Sequence, residues 1–160
     1  MSQVECGHRD VPGGASGAVL LIQHGPTILV DIGFDPSYAP GPGRVAVSGM
    51  TGIRALVDTG ATESCIDSLL AAQLNLPIVD RRPTSGAHGV QEVNMHLAQV
   101  HIPSLSVTLT GMFAGVHLQA GGQAHWALIG RTFLRFGRME YNGLTGSVIL
   151  YLPDPVAPSP

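Results

Sequence analysis

With 160 residues the chain is long enough for one domain with a substantial core. Hydrophobic residues make up 44% and charged residues only 12%, with 21 glycines and 12 prolines, which favours a turn-rich β protein over a helical bundle. The formal net charge of −3, with no basic block, argues against a polyanion-binding surface, so no nucleic-acid partner is expected.

Residues 1–16 are rich in Gly, Pro and polar side chains and read as a loosely tied tail. Gly17 to Gln23 (GAVLLIQ) and Thr27 to Gly33 (TILVDIG) are apolar, β-branched runs on either side of His24-Gly25-Pro26, the pattern of a strand pair. A proline- and glycine-rich loop follows over 35–43, then a short strand over 44–47 and a turn over 48–52. Ile53 to Val57 is an apolar strand leading into Asp58. Ile66, Leu69, Leu70 and Leu74 then recur at the spacing of one buried helix face, with Thr62 or Ser64 as the cap and Pro77 as the stop. A glycine-punctuated turn region occupies 81–89, and alternating strand patterns occupy 90–102 and 105–118. Ala127 to Ile129 is a short buried strand, 131–136 a short helix, and 138–141 with 147–152 a hairpin turned by Asn142-Gly143. The domain is therefore expected over 17–152, with a proline-rich tail over 153–160.

Cys6 and Cys65 are the only cysteines and imply no disulfide framework; two unpaired thiols fit a reducing, cytoplasmic compartment. No secretory leader pattern opens the sequence, and the apolar run Ala18 to Ile22 is too short to cross a bilayer, so no membrane partner is expected. His88, His96, His101, His117 and His125 are scattered without ligand spacing, and neither a metal nor another cofactor is expected. His96 and His101, five apart on one strand, fall on opposite faces, and Trp126 reads as a core residue.

The chemistry concentrates at Val57-Asp58-Thr59-Gly60-Ala61. A buried, unpaired carboxylate is costly, so a strand ending on Asp58 requires either a partner or an opening to solvent. Gly60 permits a tight turn that leaves Asp58 at the strand end with backbone N–H groups nearby. Taken by itself, Asp-Thr-Gly is also an ordinary Asx turn leading into a helix.

The two ends of the pattern decide between these readings. Val57-Asp58-Thr59-Gly60-Ala61, followed at a distance by Leu128-Ile129-Gly130-Arg131 through Leu134, resembles the retropepsin-like aspartic peptidases. That resemblance, over about 27–152, implies a mostly β acid-protease fold with a closed barrel-like lobe, one main helix and a flap hairpin. It implies an aspartic endopeptidase acting on peptide or protein substrates, in which two aspartates share one proton and activate a water. The chain has a single Asp-Thr-Gly, so the resemblance further implies a homodimer with one Asp58 from each subunit. On this reading Asp58 is catalytic and Thr59 and Gly60 shape its loop. Ala61, Gly86, Ala87, His88 and Gly89 line the substrate cleft, the last four at the flap tip. Ile129 and Gly130 back the loop, and Glu63 is placed to pair with Arg131. The alternative is a catalytically silent dimerisation or peptide-binding module that keeps the fold.

Overall fold

The computed structural model describes residues 1–41, 43–46, 49–86 and 89–153. Its strands are β1 (Ser2–Glu5), β2 (Thr27–Gly33), β3 (Met50–Val57), β4 (Cys65–Asp67), β5 (Ile78–Gly86), β6 (Gly89–Ile102), β7 (Val107–Val116), β8 (Ala127–Ile129), β9 (Arg138–Asn142) and β10 (Ser147–Leu152). Among the described residues, three short α-helices, α1 (Gly17–His24), α2 (Ser68–Gln73) and α3 (Arg131–Leu134), and a 3-10 turn over Pro103–Leu105 join them.

The larger sheet runs β2-β3-β8-β4-β7-β6-β5, and β2 also pairs with β6 through Asp31↔His101, Ile32↔Val100 and Gly33↔Gln99. That pairing closes six strands into a barrel and leaves β5 outside, paired among the described residues with β6 alone. The core follows from strand alternation. Val30 and Ile32, Ala55 and Val57, Ala98 and Val100, Phe113, and Ala127 with Ile129 all point inward and are buried. A second sheet, β1-β10-β9, adds Val148, Leu150 and Leu152 to the same core. The mostly β, retropepsin-like fold class expected from the sequence is the one observed.

Several elements differ from the sequence reading. The first sixteen residues are not a loose tail: β1 pairs with β10 from Ser2↔Leu152 to Glu5↔Ile149, and Cys6 is buried. Gly17 to Gln23 forms α1 and not a strand. Ser16 Oγ accepts from the Val19 N–H and Asp10 Oδ1 from the Gly17 N–H, so capping overrides the β-branched composition. Only Gly17 and Leu21 of this helix are buried, while Ile22 is 83% exposed. Arg44 to Ala46 lie in no strand, and 47 falls outside the described residues.

The main helix starts later than its periodicity suggests. Ile66 and Asp67 belong to β4, α2 is capped by Asp67, and Leu69 faces solvent while Leu70 is buried. The region read as a turn over 81–89 is the distal half of a long β5–β6 hairpin, in register from Asp80↔Met95 to Gly86↔Gly89. Both its strands are largely exposed up to Val93, so the hairpin projects from the barrel. Among the described residues no helix is long and apolar enough to cross a membrane.

Candidate active site

β3 and β8 run parallel in register Ala55↔Ala127, Leu56↔Leu128 and Val57↔Ile129, and β4 pairs antiparallel to the other side of β8 through Cys65↔Leu128. The chain therefore leaves β3 and crosses the end of β8 in a loop over 58–64. It re-enters the sheet as β4. The Asp58 N–H donates to Ile129 O at 3.0 Å, which holds the first residue of the loop to the end of β8.

Asp58 is half-buried, and Thr59 and Gly60 are exposed. Asp58 Oδ1 accepts from the Gly60 N–H at 2.8 Å and the Ala61 N–H at 3.3 Å, so the turn itself binds and orients the carboxylate. The same loop is gripped from beneath by the start of α3. Arg131 Nη1 donates to Thr59 O at 2.7 Å and to Gly60 O at 3.0 Å, and Nη2 donates to Thr62 Oγ1 at 2.7 Å. The Arg131 and Thr132 N–H groups donate to Ala61 O and Thr62 O. All four loop carbonyls from Thr59 to Thr62 thus have a donor, although the loop lies at the surface.

Gly130 makes this approach possible. A Cβ there would stand 2.7 Å from Glu63 O and 2.9 Å from Ala61 O, both backbone atoms that cannot swing aside. Ser64 Oγ accepts from the Gly130 N–H at 2.8 Å and lies 3.0 Å from Thr132 Oγ1. Ser64, read from the sequence as a possible helix cap, instead ties the loop to β8 and α3.

Glu63 does not pair with Arg131. Its carboxylate lies 3.9 Å from Arg82 Nη1 on β5, while the Arg131 guanidinium is turned to the Thr59 and Gly60 carbonyls and the Thr62 hydroxyl. Arg82 thus brings the hairpin close to the Asp58 loop, and its Nε also holds Asp80 at 2.8 Å. Gly86 and Gly89 pair across the far end of the hairpin, with Gly89 at φ +101°, where glycine is needed. Ala87 and His88 lie outside the described residues. Among the described residues, then, the fold brings together Asp58, Thr59, Gly60 and Ala61, and joins the hairpin to the same loop through Arg82 and Glu63.

The sheet face that carries Asp58 has its own apolar row. Leu128, Cys65, Ala114 and Met95 are successive register partners across β8, β4, β7 and β6, facing away from the main core, with Val93 and Val116 alongside. Burial pushes the Cys65 thiol up to about 12, with the Glu63 and Asp58 carboxylates adding to the effect. Among the described residues no group of three His, Cys, Asp or Glu is arranged to hold a metal ion.

The family described as gag-polyprotein putative aspartyl protease matches residues 44–135, more than half of the chain and the whole span from the strand before Asp58 through α3. The chain belongs to that family. No curated protein and no solved structure matches it. The retropepsin-like match covers both Asp58-Thr59-Gly60 and Gly130-Arg131, the two segments that the fold clamps together. Residues 1–43 and 136–160, which include α1 and the β1-β10-β9 sheet, lie outside the matched region.

The retropepsin-like clamp has a measurable consequence. Arg131→Met keeps the side-chain length and removes three donors from an exposed loop that water partly re-solvates. The expected loss of unfolding free energy in urea is therefore modest, about 2 kcal/mol. Amide exchange at Gly60 and Ala61 should accelerate more than exchange in β7, and a uniform change across both would contradict a local clamp.

Proposed function

We propose that this chain is a homodimeric aspartic endopeptidase in which Asp58 from each of two copies forms one site. The observation that carries this reading is the Asp58 loop, exposed yet held at each carbonyl from Thr59 to Thr62. A turn that merely joined two strands has no need of an arginine and two backbone amides to fix its surface shape. A carboxylate that must be positioned to handle a proton does.

Two carboxylates a few ångströms apart cannot both ionise easily, so a meeting pair of Asp58 groups shares one proton. The charged member takes a proton from water, which attacks the peptide carbonyl. The protonated member polarises that carbonyl and later protonates the departing amine. The apparent titration belongs to the pair, so activity should follow a bell-shaped pH profile. Thr59 and Gly60 stand at the exposed crest of the loop, where a second copy of the same loop would meet them. The β5–β6 hairpin, with Gly86 to Gly89 at its tip, is the proposed flap over an extended peptide, and the apolar row from Leu128 to Met95 is a wall of its cleft. The two free, buried cysteines fit a reducing compartment such as the cytoplasm.

The test is a cleavage profile on denatured proteins run across pH with and without an aspartic-peptidase inhibitor. Inhibitor-sensitive peptide products from the parent and none from Asp58→Asn are expected. Identical fragments from both proteins would end this reading.

A further inference from the structure

We propose that the pocket formed by His24, His125, Gln23 and Gln123 around Leu56 is a specificity pocket for an acidic side chain flanking the scissile bond. This rests on the peptidase reading above and adds to it the class of substrate.

The position follows from strand alternation. Ala55 and Val57 point into the core, so Arg54, Leu56 and Asp58 occupy the opposite face of β3. Leu56 precedes Asp58 by two residues, about 7 Å along the strand, close to the spacing between alternate side chains of an extended peptide. Leu56 borders an open pocket of about 320 Å³. One side of it is the end of α1 and the turn after it, with Gln23, His24 and Gly25; the other is the segment before β8, with Gln123 and His125. That volume lies within the range of small-ligand sites.

The pocket's chemistry departs from that of the rest of this face. Towards β6 the face is apolar, with Leu128, Cys65, Val116 and Met95. Around Leu56 it offers two imidazoles and two carboxamides, with no carboxylate among its lining residues. Behind these stand a third imidazole and a guanidinium: the His8 ring is 5.7 Å from the His24 ring, and Arg54 shares the face of β3.

Hydrogen bonds fix the rings that border the pocket. Thr27 Oγ1 lies 2.7 Å from His125 Nε2 and 3.2 Å from Gly25 O, and its one hydroxyl proton can serve either contact. His8 Nε2 donates to Gly25 O at 3.0 Å. Burial holds the titration of His125 below the ordinary imidazole range, and Arg54, His24 and His8 push it the same way. All three neighbours carry or can carry positive charge, so a substrate carboxylate would supply the missing opposite sign. In a two-fold dimer each copy brings one such pocket, one on either side of the bond to be cut.

The sign of the pH dependence follows. A glutamate side chain ionises above about pH 4.3, and His125, held below the ordinary imidazole range by its burial, loses its charge at a lower pH than a free imidazole would. The acidic preference should be largest in the window between these two titrations and should fade above it.

The experiment uses the full chain and matched peptides that differ only in Glu, Gln or Leu beside the cleaved bond. The Glu/Gln ratio of kcat/KM is expected at about tenfold near pH 5, falling towards unity near pH 8. The double variant His24→Leu, His125→Leu should abolish that ratio at pH 5; because both peptides meet the same protein, partial unfolding leaves the ratio unaffected. The same peptides are also titrated against Asp58→Asn, where binding is read without cleavage. Cleavage with no Glu preference, or with a Leu preference, overturns the pocket and leaves the peptidase reading standing. Glu-selective binding without any cleavage by the parent retains the pocket and overturns the peptidase reading. Neither binding nor cleavage of any peptide overturns both.

Discussion

Replacing Asp58 with Asn should lower peptide-cleaving activity by about a thousandfold or more, because an amide neither takes the proton from water nor returns one to the leaving amine. The fold should survive this change. The Asn side-chain oxygen can still accept from the Gly60 and Ala61 N–H groups, which are the carboxylate's partners within the chain. Asp58 is half-exposed, so the loss of charge there leaves no buried donor without a partner. Stability should stay within about 1 kcal/mol of the parent. A thermal melt and a peptide assay on the same preparation check both halves. A variant that cleaves like the parent would refute the acid–base role.

The largest stability loss is expected at a different aspartate. Asp67 is 1% exposed, and its carboxylate accepts four backbone N–H bonds. Oδ1 takes those of Leu69 and Leu70 at the start of α2, and Oδ2 takes those of Leu118 and Gln119 just after β7. Asp67→Ala leaves these four donors without their acceptor, two of them in fully buried bonds, and should cost about 3–5 kcal/mol. For a chain of this size that is roughly a 10 °C fall in melting temperature. Asp67→Asn keeps an acceptor oxygen but presents an NH₂ to donors, so it should fall between the parent and Asp67→Ala. Urea denaturation of the three proteins checks the order, and a loss below about 1 kcal/mol for Asp67→Ala would mean that water replaces the carboxylate.

These two aspartates show what the sequence made legible. Asp58 could be read because its signal is local: an apolar run over Ile53 to Val57, then a glycine that permits the turn. Asp67 carried no such local signal: its Leu69 and Leu70 partners are near in sequence, but Leu118 and Gln119, which complete its set of donors, are about fifty residues away. The start of α2 was misplaced for the same reason: Ile66 fits a helical apolar period, but the parallel pairing of β4 with β7 claims it for the sheet.

α1 was misread because GAVLLIQ has strand-like composition. Its caps, Ser16 and Asp10, lie in a stretch that looked too irregular to organise anything. Arg131 was placed correctly near the loop but given the wrong partner. Sequence favours opposite charges, whereas an arginine fork also satisfies several carbonyls at once, and here it does so at Thr59 and Gly60. His24 and His125 are about a hundred residues apart, and only the pairing of β2 with β3 and of β3 with β8 brings them to one pocket.

The shared site is tested most directly by mixing parent protein with Asp58→Asn at constant total concentration, allowing subunits to exchange, and measuring cleavage. If one Asp58 comes from each copy, only doubly parental dimers cut, and activity follows the square of the parental fraction. An equal mixture should then retain about a quarter of the starting activity. Retention of about half, with activity linear in the parental fraction, would show that each chain cleaves by itself and would contradict the shared site.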